Sequence, residues 1–375
     1  MPAGGDGTRI FLRPVGILDG RPAACAVASG QALPLAGGGA AFALAELVVR
    51  SGERVERATA VLGEILAWAR ARGVEAEVAG FCRALAAPRA PFAGFAMDRP
   101  RIMGIVNVTP DSFSDGGEFF DAAAAIAHGT ALIEAGAEIL DVGGESTRPG
   151  ADPVGPREEM RRVLPVVRHF AERGIAVSID TRHAAVMGAA LDAGARIVND
   201  VTALGGDADA AGVVRRAGAP VILMHMQGEP RTMQHAPCYR DAPTDVFEWL
   251  AARLRACTEA GIARETVAVD YGIGFGKTVD HNLELLDATS LFHALGVPLL
   301  VGVSRKAFIG RLSRGEPARG RMPGSLAAGL AAIGQGAQML RVHDVAETAQ
   351  AVAVAMAVAS ASRDSAGRDG DDRSP

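Results

Sequence analysis

Side chains able to do polar chemistry recur in this sequence where apolar runs stop. Asn107, Asp141, Asp180, Asn199, His225 and Asp270 each close or follow a short stretch of aliphatic residues. Ser304, Arg305 and Lys306 do so together, and Arg341 and His343 stand two apart in RVHDV, hence on one face of an extended strand. Any one of them alone would be a helix cap or a satisfied core group. As a set they suit a common target: amides and carboxylates for the polar edge of a ring, and a guanidinium beside an imidazole for a phosphate group. There is no Ser-His or Cys-His arrangement to signal a protein nucleophile. There is no H-x-x-x-H pair or Cys/His cluster to hold zinc. A Mg²⁺ held by one protein oxygen plus substrate phosphates leaves almost no signature, and Asn107 is able to supply that oxygen.

The loops after these strand ends are equally polar. MGIVNVTPDSFSDGG, Met103 to Gly117, places two Asp, two Ser, a Thr and a lone Phe where a connector needs only Pro and Gly. DVGGESTRPGA, Asp141 to Ala151, adds Glu145, Ser146, Thr147 and Arg148 before Pro149, and both loops are placed to close over one pocket. VDYGIGFGKT, Val269 to Thr278, invites a phosphate-loop reading, but Tyr271 stands where the Walker pattern requires Gly. Its glycines are instead expected to let the backbone approach a flat ligand held by Asp270. Met224 and Met226 flank His225, and such a methionine at a strand end can wall in a planar ligand. In VSRKAFIGRLSRGEPARGRMPGS, the default for Arg311, Arg314, Arg319 and Arg321 is a solvated loop, whereas Arg305 and Lys306 sit at the strand end and are better placed for an anion or a ring.

Elements that would position these residues are legible from residue 101 onward. Strands are expected at Ile102–Val108, Glu138–Val142, Ala176–Ile179, Ile197–Val201, Pro220–Met224, Thr266–Val269, Pro298–Val303 and Gln338–Val342. Helical stretches follow them at 121–135, 157–173, 183–193, 207–217, 243–260, 279–293, 324–335 and 344–359. Eight strand-then-helix units in about 260 residues match an α/β protein of the (β/α)8 TIM barrel class, whose strand ends converge on one rim. Ahead of the barrel, residues 1–87 form an N-terminal α/β extension without an assigned role. In it Val55, Ala58, Leu62, Ile65, Leu66 and Ala69 share one helical face. Residues 88–100, rich in Pro, read as a linker; 101–359 are the barrel, and 360–375 a disordered tail.

Composition narrows the class. Hydrophobic residues make up 49% of the 375, enough for a large core, and a net charge of -5 gives no reason for a nucleic-acid partner. The 4 cysteines lack C-x-x-C spacing, which fits a reduced, cytoplasmic setting. The start MPAGGDGTRI lacks a signal-peptide pattern, and no stretch reads as a membrane span.

In order along residues 101 to about 356, MGIVNVTPDSFSDGG, GGESTRPG, SIDT, NDV, LMHMQGEPRTMQ, GFGK, GVSRK and RVHDV resemble the dihydropteroate synthase family of pterin-binding enzymes. The resemblance implies a barrel that condenses 6-hydroxymethyl-7,8-dihydropterin pyrophosphate with 4-aminobenzoate, with Mg²⁺ as cofactor and a homodimer as the assembly. By matching motif positions it implies that Asp180, Asn199, Asp270 and Lys306 hold the pterin, with Met224 and Phe275 against its ring. Asn107, Arg341 and His343 would take the pyrophosphate and its metal. Asp111, Phe113, Ser114, Asp115, Thr147, Arg148 and Pro149 would enclose the aminobenzoate. Among these, Asp111, Asp115, Asp180, Lys306, Arg341 and His343 are the implied catalytic set. Two positions depart from the family pattern. Tyr271 stands where Pro usually follows the strand-six Asp and is expected to change how Asp270 is aimed; Ala307 stands where a Ser often follows the SRK lysine. The alternatives are a pterin-binding methyltransferase using methyltetrahydrofolate, which shares the barrel, and a non-catalytic pterin-binding paralogue.

Overall fold

The structure, a computed structural model, describes residues 8–109, 122–145, 153–229 and 232–364. The extension comprises β1 (Arg9–Val15), α1 (Gly20–Ala28), the short pair β2 (Leu33–Pro34) and β3 (Ala41–Phe42), β4 (Leu44–Ser51), β5 (Arg54–Val61), α2 (Leu62–Ala71) and α3 (Glu75–Ala86). Its sheet runs β1-β4-β5, all antiparallel. This corrects the expected helix: Val55 and Ala58 belong to β5, opposite Arg50 and Leu47 of β4, and the helix begins only at Leu62. The spacing of those residues fits a helical face, but Val55, Thr59 and Val61 are β-branched and β4 offers a full ladder of partners. Ile65 and Ala69 are buried, so that part of the expected face holds.

All of the expected barrel strands form. They are β6 (Arg101–Asn107), β7 (Ile139–Gly143), β8 (Ala176–Asp180), β9 (Ile197–Asp200), β10 (Val221–Met224), β11 (Val267–Asp270), β12 (Leu300–Val301) and β13 (Met339–Val342). Between them lie α4 (Ala122–Glu134), α5 (Pro156–Ala171), α6 (Ala184–Asp192), α7 (Ala210–Ala217), α8 (Ala242–Glu259), α9 (Val279–Asp287), α10 (Ala307–Leu312) and α11 (Met322–Gly334), with α12 (Val345–Asp364) last. Their parallel order is β11-β10-β9-β8-β7-β6-β13-β12, and a parallel bridge from Val269 to Leu299 joins the two ends into a (β/α)8 barrel. The helix expected over 279–293 divides into α9 and a 3-10 helix, Thr289–Leu295.

The segment expected as a linker is packed. Phe92 and Met97 join one apolar residue from each barrel strand, among them Met103, Ile139, Ala176 and Ala268, and so close the barrel at the strand starts. Arg101 Nε donates to Ala96 O at 2.8 Å, turning the segment back beneath the barrel. The extension is docked as well: Ser290 Oγ donates to Pro14 O at 2.7 Å, and Arg89 donates to His293 O at 2.8 Å. At the far end α12 continues to Asp364, past the expected start of the tail at 360; the rest of that segment lies outside the described residues. Among the described residues no helix is long and apolar enough to cross a membrane.

Candidate active site

Strand alternation changes the barrel from dry to polar within one step. Ile139, Ala176, Ile197, Ala268 and Met339 face inward in the apolar floor. Two residues further on, the same face of each strand carries Asp141, Ser178, Asn199, Asp270 and Arg341. One step higher come Asn107, Asp180 and His343, at the carboxyl ends where barrel sites form.

At the centre, Arg341 is shared between two carboxylates. Its Nε donates to Asp141 Oδ2 at 2.5 Å and its Nη2 to Asp180 Oδ2 at 2.6 Å. Asn199 Nδ2 donates to the same Asp141 oxygen at 3.0 Å. Asp141 is fully buried, and its other oxygen has no hydrogen-bond partner among the described residues. Two carboxylates against one guanidinium leave excess negative charge. The Asp180 carboxyl is accordingly raised from its ordinary value, first by burial and then, against the pull of Arg341, by Asp141.

Beside this group, Asp270 is buried and its Oδ1 accepts from Gly272 N at 2.7 Å. Lys306 Nζ lies 4.1 Å from the centroid of the Phe275 ring, and burial, helped by the charge of Arg341, pushes its ammonium down to about 8. Phe275 packs with Met224, Val201 and Met233, and Met226 borders them. A flat apolar wall therefore stands next to a row of hydrogen-bonding groups. Two glycines of the β11 loop are needed by the protein's own packing. A Cβ on Gly272 would stand 2.0 Å from His225 O, and one on Gly276 would stand 2.3 Å from Gln227 O. Both have positive φ, so they let this loop lie directly on the loop after β10.

Tyr271 turns away from this site. Its side chain is fully buried beneath β11, its hydroxyl is 3.0 Å from Thr289 Oγ1, and its ring centroid is 5.0 Å from that of Phe292. Asp270 is held from the neighbouring residue, its Oδ1 accepting from Gly272 N, while the Tyr271 side chain lies on the other side of the strand.

The remaining strand-end residues divide. His343 Nδ1 lies 3.0 Å from Ser304 Oγ at the barrel mouth. Arg305, expected to face an anion or a ring, instead pairs with Asp344 through both Nε and Nη2. Glu145 is held by Arg182 and accepts Val154 N at 3.1 Å. Asn107 ends β6, half-buried, opposite Gly143. Asp111, Phe113, Ser114, Asp115, Thr147, Arg148 and Pro149 lie outside the described residues.

Two residues at this site had no assigned role in the sequence. Asp141 was visible only as one strand-end carboxylate among several, although it anchors both Arg341 and Asn199. Lys277, in the GFGK motif, is buried with Nζ 2.9 Å from His225 Nδ1 and 3.0 Å from Phe275 O. Burial pushes Lys277 down to about 7 and, with Lys277 beside it, lowers His225, so the imidazole is a neutral acceptor. Lys277 thus ties the β11 loop to the loop after β10.

A family model described as "Pterin binding enzyme" matches residues 103–343. The chain is 46% identical over 266 residues to the dihydropteroate synthase of Escherichia coli (strain K12), covering 71% of this chain and 94% of that one. It is similar to a solved structure of Xanthomonas albilineans dihydropteroate synthase with 4-aminobenzoic acid, at TM-score 0.68 and 47% identity over 72% of this chain and 98% of the other. A structure of dihydropteroate synthase from Xanthomonas albilineans in complex with 7,8-dihydropteroate gives TM-score 0.66 and 44% identity over the same shares, 72% and 98%.

Proposed function

This chain belongs to the pterin-binding enzymes and, among them, to the dihydropteroate synthase family, and on that premise we propose how its site works. It is a transferase of folate biosynthesis that condenses 6-hydroxymethyl-7,8-dihydropterin pyrophosphate with 4-aminobenzoate, giving 7,8-dihydropteroate and pyrophosphate. The observation that carries the assignment of roles is the polar inward layer lying beside the Met224–Phe275 wall.

In this reading the pterin lies against Met224 and Phe275, and Asp270, Asn199, Asp180 and Lys306 take its polar edge. Arg341 and His343 receive the pyrophosphate at the mouth. The bond from the pterin's exocyclic methylene carbon to the pyrophosphate oxygen breaks, with the electron pair leaving on oxygen, where Arg341 and His343 stabilise it. The electron-rich ring carries the positive charge left on the methylene, and Asp180 stabilises it. The amine of 4-aminobenzoate attacks that carbon and gives up a proton. Asp111, Phe113, Ser114, Asp115, Thr147, Arg148 and Pro149 are assigned to this second substrate by the family resemblance.

The donor set also fits Mg²⁺ of one particular kind. Among the described residues no group of three or more His, Cys, Asp or Glu could cage an ion. Asn107 still offers one hard oxygen on the inward face, the number that a Mg²⁺ held chiefly by phosphates and water requires from the protein. When bound there, the ion neutralises charge on the leaving pyrophosphate. A homodimer in the cytoplasm completes the reading, supported by the family resemblance and by four free thiols that suit a reducing compartment.

A pyrophosphate-release assay tests this. Release is expected only with both substrates and Mg²⁺ present. Binding of the pterin without turnover would point to a non-catalytic paralogue, and release that ignores 4-aminobenzoate would overturn the condensation.

A further inference from the structure

The E. coli relative is covered over 94% of its length by 71% of this chain, and the family match begins at residue 103, so the extension has no part in that likeness. Its hairpin of β4 and β5 nonetheless reaches the loop that walls the ring pocket. Arg240, near the end of the β10–α8 loop, donates through Nη1 to Gly52 O at 2.6 Å and through Nη2 to Glu53 Oε1 at 2.8 Å, both in the hairpin turn. Arg57 of β5 pairs with Asp241 and with Glu46. Asp241 is the N-cap of α8, its Oδ1 accepting from Thr244 N at 3.0 Å. Arg50 of β4 is buried and donates to Thr244 Oγ1 at 2.9 Å while pairing with Asp245 at 2.9 Å. Asp245 in turn accepts the backbone N of Arg240 at 2.8 Å.

The same loop forms part of the site a few residues upstream. Tyr239 donates to Gly276 O and Gln234 Nε2 to Gly274 O, each at 2.7 Å, on either side of Phe275. Met233 is buried against Phe275 and Met224. A long irregular loop loses much backbone entropy on ordering and stays in one place only where it is tied at several points. Here the ties on its α8 side come from Asp245 of α8 and from the extension.

We propose that the extension is a brace for the ring pocket: the β4–β5 hairpin, through Arg57 on one side and Arg240 on the other, positions residues 232–241 and so the Met233–Phe275 wall. Arg57 and Arg240 are positioning residues. They act on the substrate through the loop, and the link from loop to substrate rests on the pterin reading above.

The test uses the full chain with Arg57→Met, Arg240→Met and the two combined. Hydrogen exchange of amides 232–241 is expected to speed up by about tenfold, a loss of about 1.4 kcal/mol in local opening free energy, while exchange in the barrel strands stays as in the parent. The KM for dihydropterin pyrophosphate is expected to rise roughly fivefold, with kcat and the KM for 4-aminobenzoate changing by less than about twofold. The charge swap Glu53→Arg with Arg240→Glu restores the ion pair but not the bond to Gly52 O, and should recover part of both effects of Arg240→Met. It also serves if the combined variant does not fold. Unchanged exchange at 232–241, or equal rises in both KM values, overturns the brace. A parent chain that releases no pyrophosphate overturns the functional reading instead, and the exchange result still decides whether the extension holds the loop.

Discussion

Arg341 Nη2 and Asp180 Oδ2 lie 2.6 Å apart, so the groups assigned to the pyrophosphate end and the pterin end of one substrate already hold each other. Asp141 takes the guanidinium from the other side, at 2.5 Å. Cation and carboxylate therefore act as one unit, and substitutions at either should be felt at both ends of the ligand.

Replacing Arg341 with Met leaves Asp141 and Asp180 buried without their cation. Removing one partner of such a pair costs about 3–5 kcal/mol. The Asp180 carboxyl, already raised by burial, then loses the cation that opposed the shift, so the folded chain holds more protons than the unfolded one and stability falls as pH rises. Urea denaturation should show a larger loss at pH 8 than at pH 5. Adding Asp180→Asn should restore about 1–3 kcal/mol, as expected of coupled neighbours. Additive losses, the same at both pH values, would contradict the shared arrangement.

Lys306 is pushed down to about 8 by burial and by Arg341, so near pH 8 about half of it is neutral in the protein alone. An anionic pterin pyrophosphate favours the charged form, and binding should take up roughly half a proton at that pH. Affinity should fall as pH rises through 8. Calorimetry in buffers of different ionisation enthalpy reads the uptake, which should vanish in Lys306→Met. Stability runs the other way for this one group. Between about 8 and the ordinary lysine value of about 10.4 the unfolded chain holds the proton, so its contribution improves as pH rises.

Gly272→Ala places a methyl group 2.0 Å from His225 O at a φ of +69°. Gly30, at φ +72° with nothing within 4 Å of such a methyl, supplies the comparison. Gly30→Ala should cost about 1–2 kcal/mol from backbone strain alone. Gly272→Ala should cost more than that in thermal unfolding and should also raise the KM for the pterin substrate, because Gly272 N holds Asp270. Equal losses in the two variants would show that the loop yields freely.

Tyr271→Phe removes a buried hydroxyl 3.0 Å from Thr289 Oγ1 and nothing that faces the pocket. Stability should drop by about 1 kcal/mol, with KM for both substrates unchanged within error. A several-fold rise in either KM would mean that residue 271 does help to aim Asp270.

How much of this was legible in the chain follows from the range over which each feature is set. The barrel strands and the polar residues closing them are local: β-branched runs of the right length, ended by Asn107, Asp180 or Asp270, need no partner to be recognised. Local periodicity misled where two periods fit the same residues, as with Val55 and Ala58, and the ladder to β4 decided for strand. Composition likewise marked the Pro-rich segment at 88–100 as a linker but could not place Phe92 in the floor of a barrel whose eight strands meet it from across the sequence.

Amino-acid order alone therefore determined which residues reach the rim, because a strand's side chains alternate and its end is set by its own residues. Which of them touch was decided only by closure of the barrel. Asp180 and Arg341 are separated by 161 positions, and their contact depends on strand order, stagger and tilt. The same closure paired Arg305 with Asp344, turned the GFGK lysine toward His225, and brought the hairpin of the extension to Arg240. Those contacts are properties of the closed sheet and its packed loops, and no stretch of the chain carries them by itself.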